Sequence, residues 1–163
     1  MRKYCLSLLL LLLTLVSNAV EPPKREIRGV WLTTVYGLDW PRKPATTETG
    51  RKAQQRDVCD ILDRLQDANF NTVFLQVRMR GDVIWRSAIE PASKIFSGKY
   101  GMMPGYDPLA FVVDECHKRG MECHAWFVTF PLGTDKSVKE QGKLSVVRRQ
   151  PKLCKRHNEI GRA

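Results

Sequence analysis

The 163-residue chain lacks the short patterns that mark several common chemistries. It has no CxxC pair, so its five cysteines do not have the spacing of a zinc site. There is no HExxH and no Ca²⁺ loop. A GxSxG elbow is also missing, which removes the usual serine-hydrolase reading. No GxGxxG turn follows a strand, as a dinucleotide site would require. The longest apolar run, Leu6 to Val16, is only eleven residues, too short to cross ~30 Å of hydrocarbon. Acid is scarce: 27 Lys+Arg face 17 Asp+Glu, for a formal charge of +10.

What is present points elsewhere. Hydrophobic residues at 43% and charged residues at 27% suit one globular domain and exclude a wholly disordered or collagen-like chain. The charge is not spread over the body. Residues 21–135 carry 16 basic and 15 acidic side chains, whereas residues 136–163 carry 9 basic and 2 acidic ones. A basic face for nucleic acid is therefore not expected. The run from Lys136 to Arg162 reads as a solvated or disordered tail, part of which would be a loop and helix in a larger domain.

Arg2 and Lys3 precede the apolar run, and Ser17-Asn18-Ala19 follows it with small residues. This is the layout of a secretory signal over residues 1–19, cleaved after Ala19. The mature protein is then exported, with no stable membrane span. Cys5 precedes the apolar run, so a lipoprotein is not expected. Cys59, Cys116, Cys123 and Cys154 remain; export permits disulfides, but burial as small hydrophobes is the favoured reading.

Ile27 to Thr34 is β-branched and aromatic and reads as a strand. From Lys52 the period changes. Val58, Ile61, Leu62, Leu65 and Ala68 form one helical stripe, and Asn69 suits a left-handed stop. Thr72 to Val77 is a buried strand, followed by a long loop from Met79 to Tyr106. Asp107-Pro108 starts a second helix with Leu109, Val112, Val113 and Cys116 on its apolar face, and Gly120 closes it. Met121 to Val128 is the third strand.

Two successive βαβ units imply parallel strands. Long strand-to-helix loops beside short helix-to-strand links suggest a (β/α)8 barrel with an elaborated functional face. A doubly wound open sheet is the alternative.

Several segments carry a resemblance: Arg28-Gly-Val-Trp-Leu32, Phe70 to Arg78, Arg80-Gly-Asp82, Gly105-Tyr-Asp-Pro-Leu109, His117-Lys-Arg-Gly120 and His124-Ala-Trp126. In this order and spacing, from about Glu26 to Leu132, the chain resembles the glycosyl-hydrolase-like family 10 domain, which is distinct from the family 10 xylanases. The resemblance implies an exported bacterial (β/α)8 TIM barrel that acts on, or binds, an extracellular or cell-envelope polysaccharide or oligosaccharide. Its location would be periplasmic or extracellular. Such barrels typically hold ~250 residues. Residues 26–135 supply only about three strands and two helices, so the chain is expected to be the truncated first part of that barrel, α/β in class.

Glycoside hydrolysis uses two carboxyl groups, ~5–5.5 Å apart in retaining enzymes and ~6.5–9.5 Å apart in inverting ones. The first acids after the three strands are Asp39, Asp82 and Asp135; each reads as an ordinary solvated loop acid. The acids the resemblance implies belong to later strands, so the catalytic residues are unassigned. A substrate groove is a separate matter. Trp31 and Thr33 share a strand face, as do Gln76 and Arg78, and His124 and Trp126. Trp31, Gln76, Arg78, His124 and Trp126 are the substrate-binding candidates, against core packing for the Trp residues and a satisfied interior His for His124. Arg78 suits a carboxylate or phosphate, which hints at an acidic glycan. Trp40 and Trp85 are loop aromatics that suit subsite walls. No cofactor or metal is expected. The rival readings are a non-catalytic glycan-binding or envelope-associated module, and an intact small α/β protein with another activity. With an open strand edge and unpartnered helix faces, the chain alone is expected to be poorly soluble or partly molten.

Overall fold

The computed structural model describes residues 26–155. The expected export signal, residues 1–19, lies outside them, as does the end of the basic run. Three strands, β1 (Gly29–Leu32), β2 (Thr72–Arg78) and β3 (Glu122–Phe127), form one sheet in the order β1-β2-β3. Both pairings are parallel; Trp31 lies opposite Phe74, and Phe74 opposite His124. A bulge interrupts β2 between Gln76 and Arg78, opposite Trp126 and Phe127.

The first strand is shorter than its β-branched run suggests, and the reason is local. The Thr33 N–H donates to Asp39 Oδ2 at 2.8 Å, and the Thr34 N–H to Gln76 Oε1 at 3.0 Å. Side chains have taken the donors that would have extended the ladder. The helix α1 (Glu48–Asp67) starts earlier than its apolar stripe, because Thr47 Oγ1 accepts the Gly50 N–H at 3.1 Å and caps it. It stops as expected: Asn69 sits at φ 62° and the Phe70 N–H bonds back to the Leu65 carbonyl.

The long loop after β2 has structure of its own. It holds a short helix, α2 (Lys94–Ser97), and isolated bridges from Val83 to Arg78 and Ala92. The helix α3 (Pro108–Lys118) begins where Asp107 Oδ1 accepts the Ala110 N–H at 3.1 Å, with Pro108 in the first turn. Arg119 caps its end and reaches both Asp63 and Glu115 at 2.6 Å, tying α3 to α1.

The basic run folds as far as it is described. It forms α4 (Asp135–Gln141) and α5 (Val146–Arg149), where a solvated or disordered tail is expected from charge alone. A reciprocal cap between Thr134 and Ser137 starts α4. Gln141 and Ser145 turn inward while the cations stay at the surface, so charge concealed a one-sided burial pattern.

One face of the sheet packs on the helices. Leu32, Val73, Leu75 and Val77 meet Val58, Leu62, Val112 and Cys116, all essentially excluded from water. Trp40 is fully buried here too, edge-on to Phe96, with its Nε1–H donating to the Gln54 carbonyl at 2.8 Å. It is a core anchor, not a subsite wall. The four cysteines within the described residues are free thiols, and Cys116 is buried. No described helix is long and apolar enough to cross a membrane.

The other face is open. Trp31 is 59% exposed and stacks on Phe74 with centroids 4.8 Å apart; Trp126 meets Trp31 edge-on at 4.9 Å. His124 lies 5.3 Å from Phe74, and its Nε2 is 2.8 Å from Glu122 Oε2. Gly29 makes room for this row, since a Cβ there would lie 2.7 Å from the Phe74 ring.

Candidate functional site

The loops that leave the C-terminal ends of the three strands converge. Gln76 organises the first. Its Oε1 accepts from Thr33 Oγ1 at 2.7 Å, Thr34 N at 3.0 Å and Val35 N at 2.8 Å, while Thr34 Oγ1 donates to the Gln76 carbonyl at 2.8 Å. One buried amide thus fixes the exit of β1, including the 3₁₀ turn Val35–Gly37. Within that turn Tyr36 sits at φ 57°, and the residue is 68% exposed. A bulky residue in that region is strained and needs the surrounding bonds to hold it.

Arg78 organises the second and third exits. Nε and Nη2 donate to the two oxygens of Glu90, both at 2.6 Å. Nη1 donates to the carbonyls of Val128 at 2.5 Å and Thr129 at 3.0 Å. The carboxylate partner that an inward-facing Arg needs is therefore Glu90, twelve residues along. Trp85 packs edge-on to Phe127 nearby, at 5.9 Å.

Beyond Arg78 the chain turns sharply. The Arg80 guanidinium lies 4.4 Å from the centroid of the Tyr36 ring. Asp82 is 5% exposed, not solvated as expected of a loop acid. Its Oδ1 accepts the Arg80 N–H at 3.3 Å, and the Ser93 hydroxyl bonds it as well. Burial raises its pKa above the ordinary carboxylate value. Asp39 is held by the Thr33 N–H, and Asp135 lies in the first turn of α4.

These loops line a half-open cavity of about 210 Å³. Val35 and Tyr36 come from the exit of β1, Met79, Arg80 and Asp82 from that of β2, and Thr134, Lys136, Ser137 and Glu140 from that of β3, with Ser93 to Ile95 and Tyr100 between. Lys94 pairs with Glu140 across it. Burial pushes the Tyr100 hydroxyl up to about 12, so it stays a donor at neutral pH. Among the described residues no group of three or more His, Cys, Asp or Glu side chains could hold a metal.

Of the five sequence candidates, Gln76 and Arg78 lie at the strand exits. Trp126, Trp31 and His124 form the open aromatic face. Tyr36, Tyr100 and Glu90 were not anticipated. Tyr36-Gly37 after a strand was the available signal for the first; the other two are long-range contacts within one loop.

Residues 26–162 match the family described as glycosyl hydrolase-like 10. The chain belongs to this glycosyl hydrolase-like family. The match includes the helical segment after β3, so α4 and α5 lie within the glycosyl hydrolase-like region. Glycosyl hydrolase DigH of Escherichia coli (strain K12) is 50% identical over 111 residues, which is 66% of this chain and 25% of that protein. Glycosyl hydrolase YngK of Bacillus subtilis (strain 168) is 41% identical over 103 residues, which is 63% of this chain and 20% of that protein. The chain spans a quarter or less of the length of these curated relatives.

Proposed function

We propose that this chain forms the first wall of an exported glycoside-hydrolase-like (β/α)8 barrel and holds a glycan at the C-terminal ends of its strands. The observation that carries this reading is the convergence of three strand-exit loops on one cavity, in a chain of a glycosyl hydrolase-like family. Catalytic barrels keep their sites at that end. The open face of Trp31, Phe74, His124 and Trp126 then becomes the inner wall, covered by further strands of the barrel.

Within this reading Gln76 and Arg78 serve the glycan by fixing the loops that touch it. Trp126, level with Gln76 in the sheet, is the aromatic of that row nearest the mouth, with Trp31 and His124 one step below. Hydrolysis is assigned to a carboxyl pair outside this chain. Asp39 is bonded to the β1 exit, Asp82 is buried within its own turn, and Asp135 belongs to a helix start. The signal layout at residues 1–19 supports export to the periplasm or beyond.

Co-sedimentation with insoluble envelope polysaccharides, alongside a reducing-end assay, tests the reading. The expected result is retention of the full chain on at least one polysaccharide without turnover. Hydrolysis at enzyme-like rates would contradict the assignment of the acids. Absence of binding to any glycan would favour an unrelated activity. A fusion of residues 1–30 to alkaline phosphatase should be active in the periplasm.

A further inference from the structure

We propose that the cavity at the strand exits is a subsite for a single sugar unit bearing a carboxylate, with Arg80 and Lys136 as its anion-binding groups. This rests on the glycan reading above and adds the chemical class of the ligand.

The argument begins with charge pairing. Five charged side chains line the cavity: Arg80, Lys94, Lys136, Asp82 and Glu140. Lys94 and Glu140 satisfy each other. Asp82 spends its carboxylate on the Arg80 backbone N–H and the Ser93 hydroxyl, within its own turn. Neither the Arg80 guanidinium nor the Lys136 ammonium forms an ion pair among the described residues. The cavity therefore carries more cations than acids, and Arg80 and Lys136 reach it from two different strand exits.

The geometry of Arg80 matters as much as its sign. Its Cζ is held over the Tyr36 ring, 4.4 Å from the centroid. A ring contact of that kind takes up none of the N–H donors as hydrogen bonds. None of the Arg80 side-chain donors bonds a described residue, whereas the guanidinium of Arg78 makes four bonds, to Glu90, Val128 and Thr129. A carboxylate is the planar acceptor that such donors fit.

The remaining walls argue for a sugar rather than a bare anion. Val35, Ile95 and the Tyr100 ring offer apolar surface beside the protonated Tyr100 hydroxyl. That pairing suits the C–H face and hydroxyl rim of a pyranose. At about 210 Å³ the space is below the ~300–1,000 Å³ of drug-sized pockets, so one ring fits better than a chain.

Saturation-transfer NMR on the full chain tests this with D-glucuronate and D-galacturonate against D-glucose and D-galactose, with acetate as the bare carboxylate. The uronates should bind about fivefold to tenfold more tightly than the hexoses, from one partly screened charge-assisted contact. Arg80→Gln should abolish that preference. Lys136→Gln, at an exposed position, should reduce it independently. Equal binding of uronates and hexoses would overturn this inference while leaving the glycan reading intact. Acetate binding as tightly as the uronates would remove the sugar from the subsite. Binding by none of them would overturn this inference, while the glycan reading stands or falls by retention on polysaccharide.

Discussion

Arg78 and Glu90 meet through two parallel bonds of 2.6 Å, with both side chains almost withdrawn from water. The same guanidinium holds the backbone leaving β3. One residue at the end of the central strand thus ties down the loops from two strands. Removing a single partner of such a pair leaves a stranded charge and costs ~3–5 kcal/mol. Glu90→Gln should therefore loosen both loops. Amide exchange at Val128 and Thr129 should accelerate markedly, while that of Val73 and Leu75 changes little. The double change Arg78→Met with Glu90→Leu should be milder than either single one.

Gln76 has the same standing for the first loop. Its carbonyl oxygen accepts three donors, two of them backbone N–H groups. Gln76→Ala should cost ~2–4 kcal/mol, because each unpaired buried donor costs ~1–3 kcal/mol. The expected signature is loss of protection at Thr34 and Val35, together with a more mobile Tyr36 ring. Unchanged exchange at both amides would show that the turn holds itself.

The ion pairs at the end of α3 make stability depend on acid. Hydrogen bonds from Lys118 and Arg119 hold the Glu115 carboxyl down at about 2, from an ordinary 4.5. A depressed carboxyl stabilises the fold while ionised, so its contribution is complete above pH 4.5 and is lost as pH falls towards about 2. Urea midpoints followed from about pH 6 to about pH 2 should drop in this window for the wild type. Glu115→Gln should start lower and fall less steeply there.

The open aromatic face has a physical cost in the isolated chain. Trp31, Phe74 and Trp126 leave a contiguous apolar surface next to the unpaired edge of β3. Exposed edges and apolar patches promote association. Light scattering should show concentration-dependent self-association, and Trp31→Lys should reduce it. A monodisperse monomer with a sharp thermal transition would contradict this account of the face.

Much of the scaffold was legible because its signals are local. The Asp107-Pro108 start, the Asn69 stop and the apolar run Thr72 to Val77 depend on neighbours close in sequence, and the structure shows each of them. The site was legible only in part. Strand alternation pairs Gln76 with Arg78 and His124 with Trp126, but the row that joins Trp31 to Trp126 emerges only from the strand pairing. It could not reveal their partners. Glu90, Tyr36 and Ser93 come together through a loop whose course is set by long-range bonds, and no periodicity encodes those. The same holds for Asp82, a loop acid by sequence that its turn folds inward. Charge misled over Lys136 to Arg149, where buried Gln141 and Ser145 decide the packing.

The central claim is that a saccharide is held where the strands end. Amide-resolved NMR of the isotope-labelled full chain, titrated with a panel of soluble neutral and acidic oligosaccharides, tests it most directly. The account expects shifts clustered at Val35 to Gly37, Arg80 to Asp82, Ser93 to Lys94 and Thr134 to Ser137. Shifts confined to the opposite ends of the strands, around Arg28, Asn71 and Gly120, or no shifts with any oligosaccharide, would contradict it.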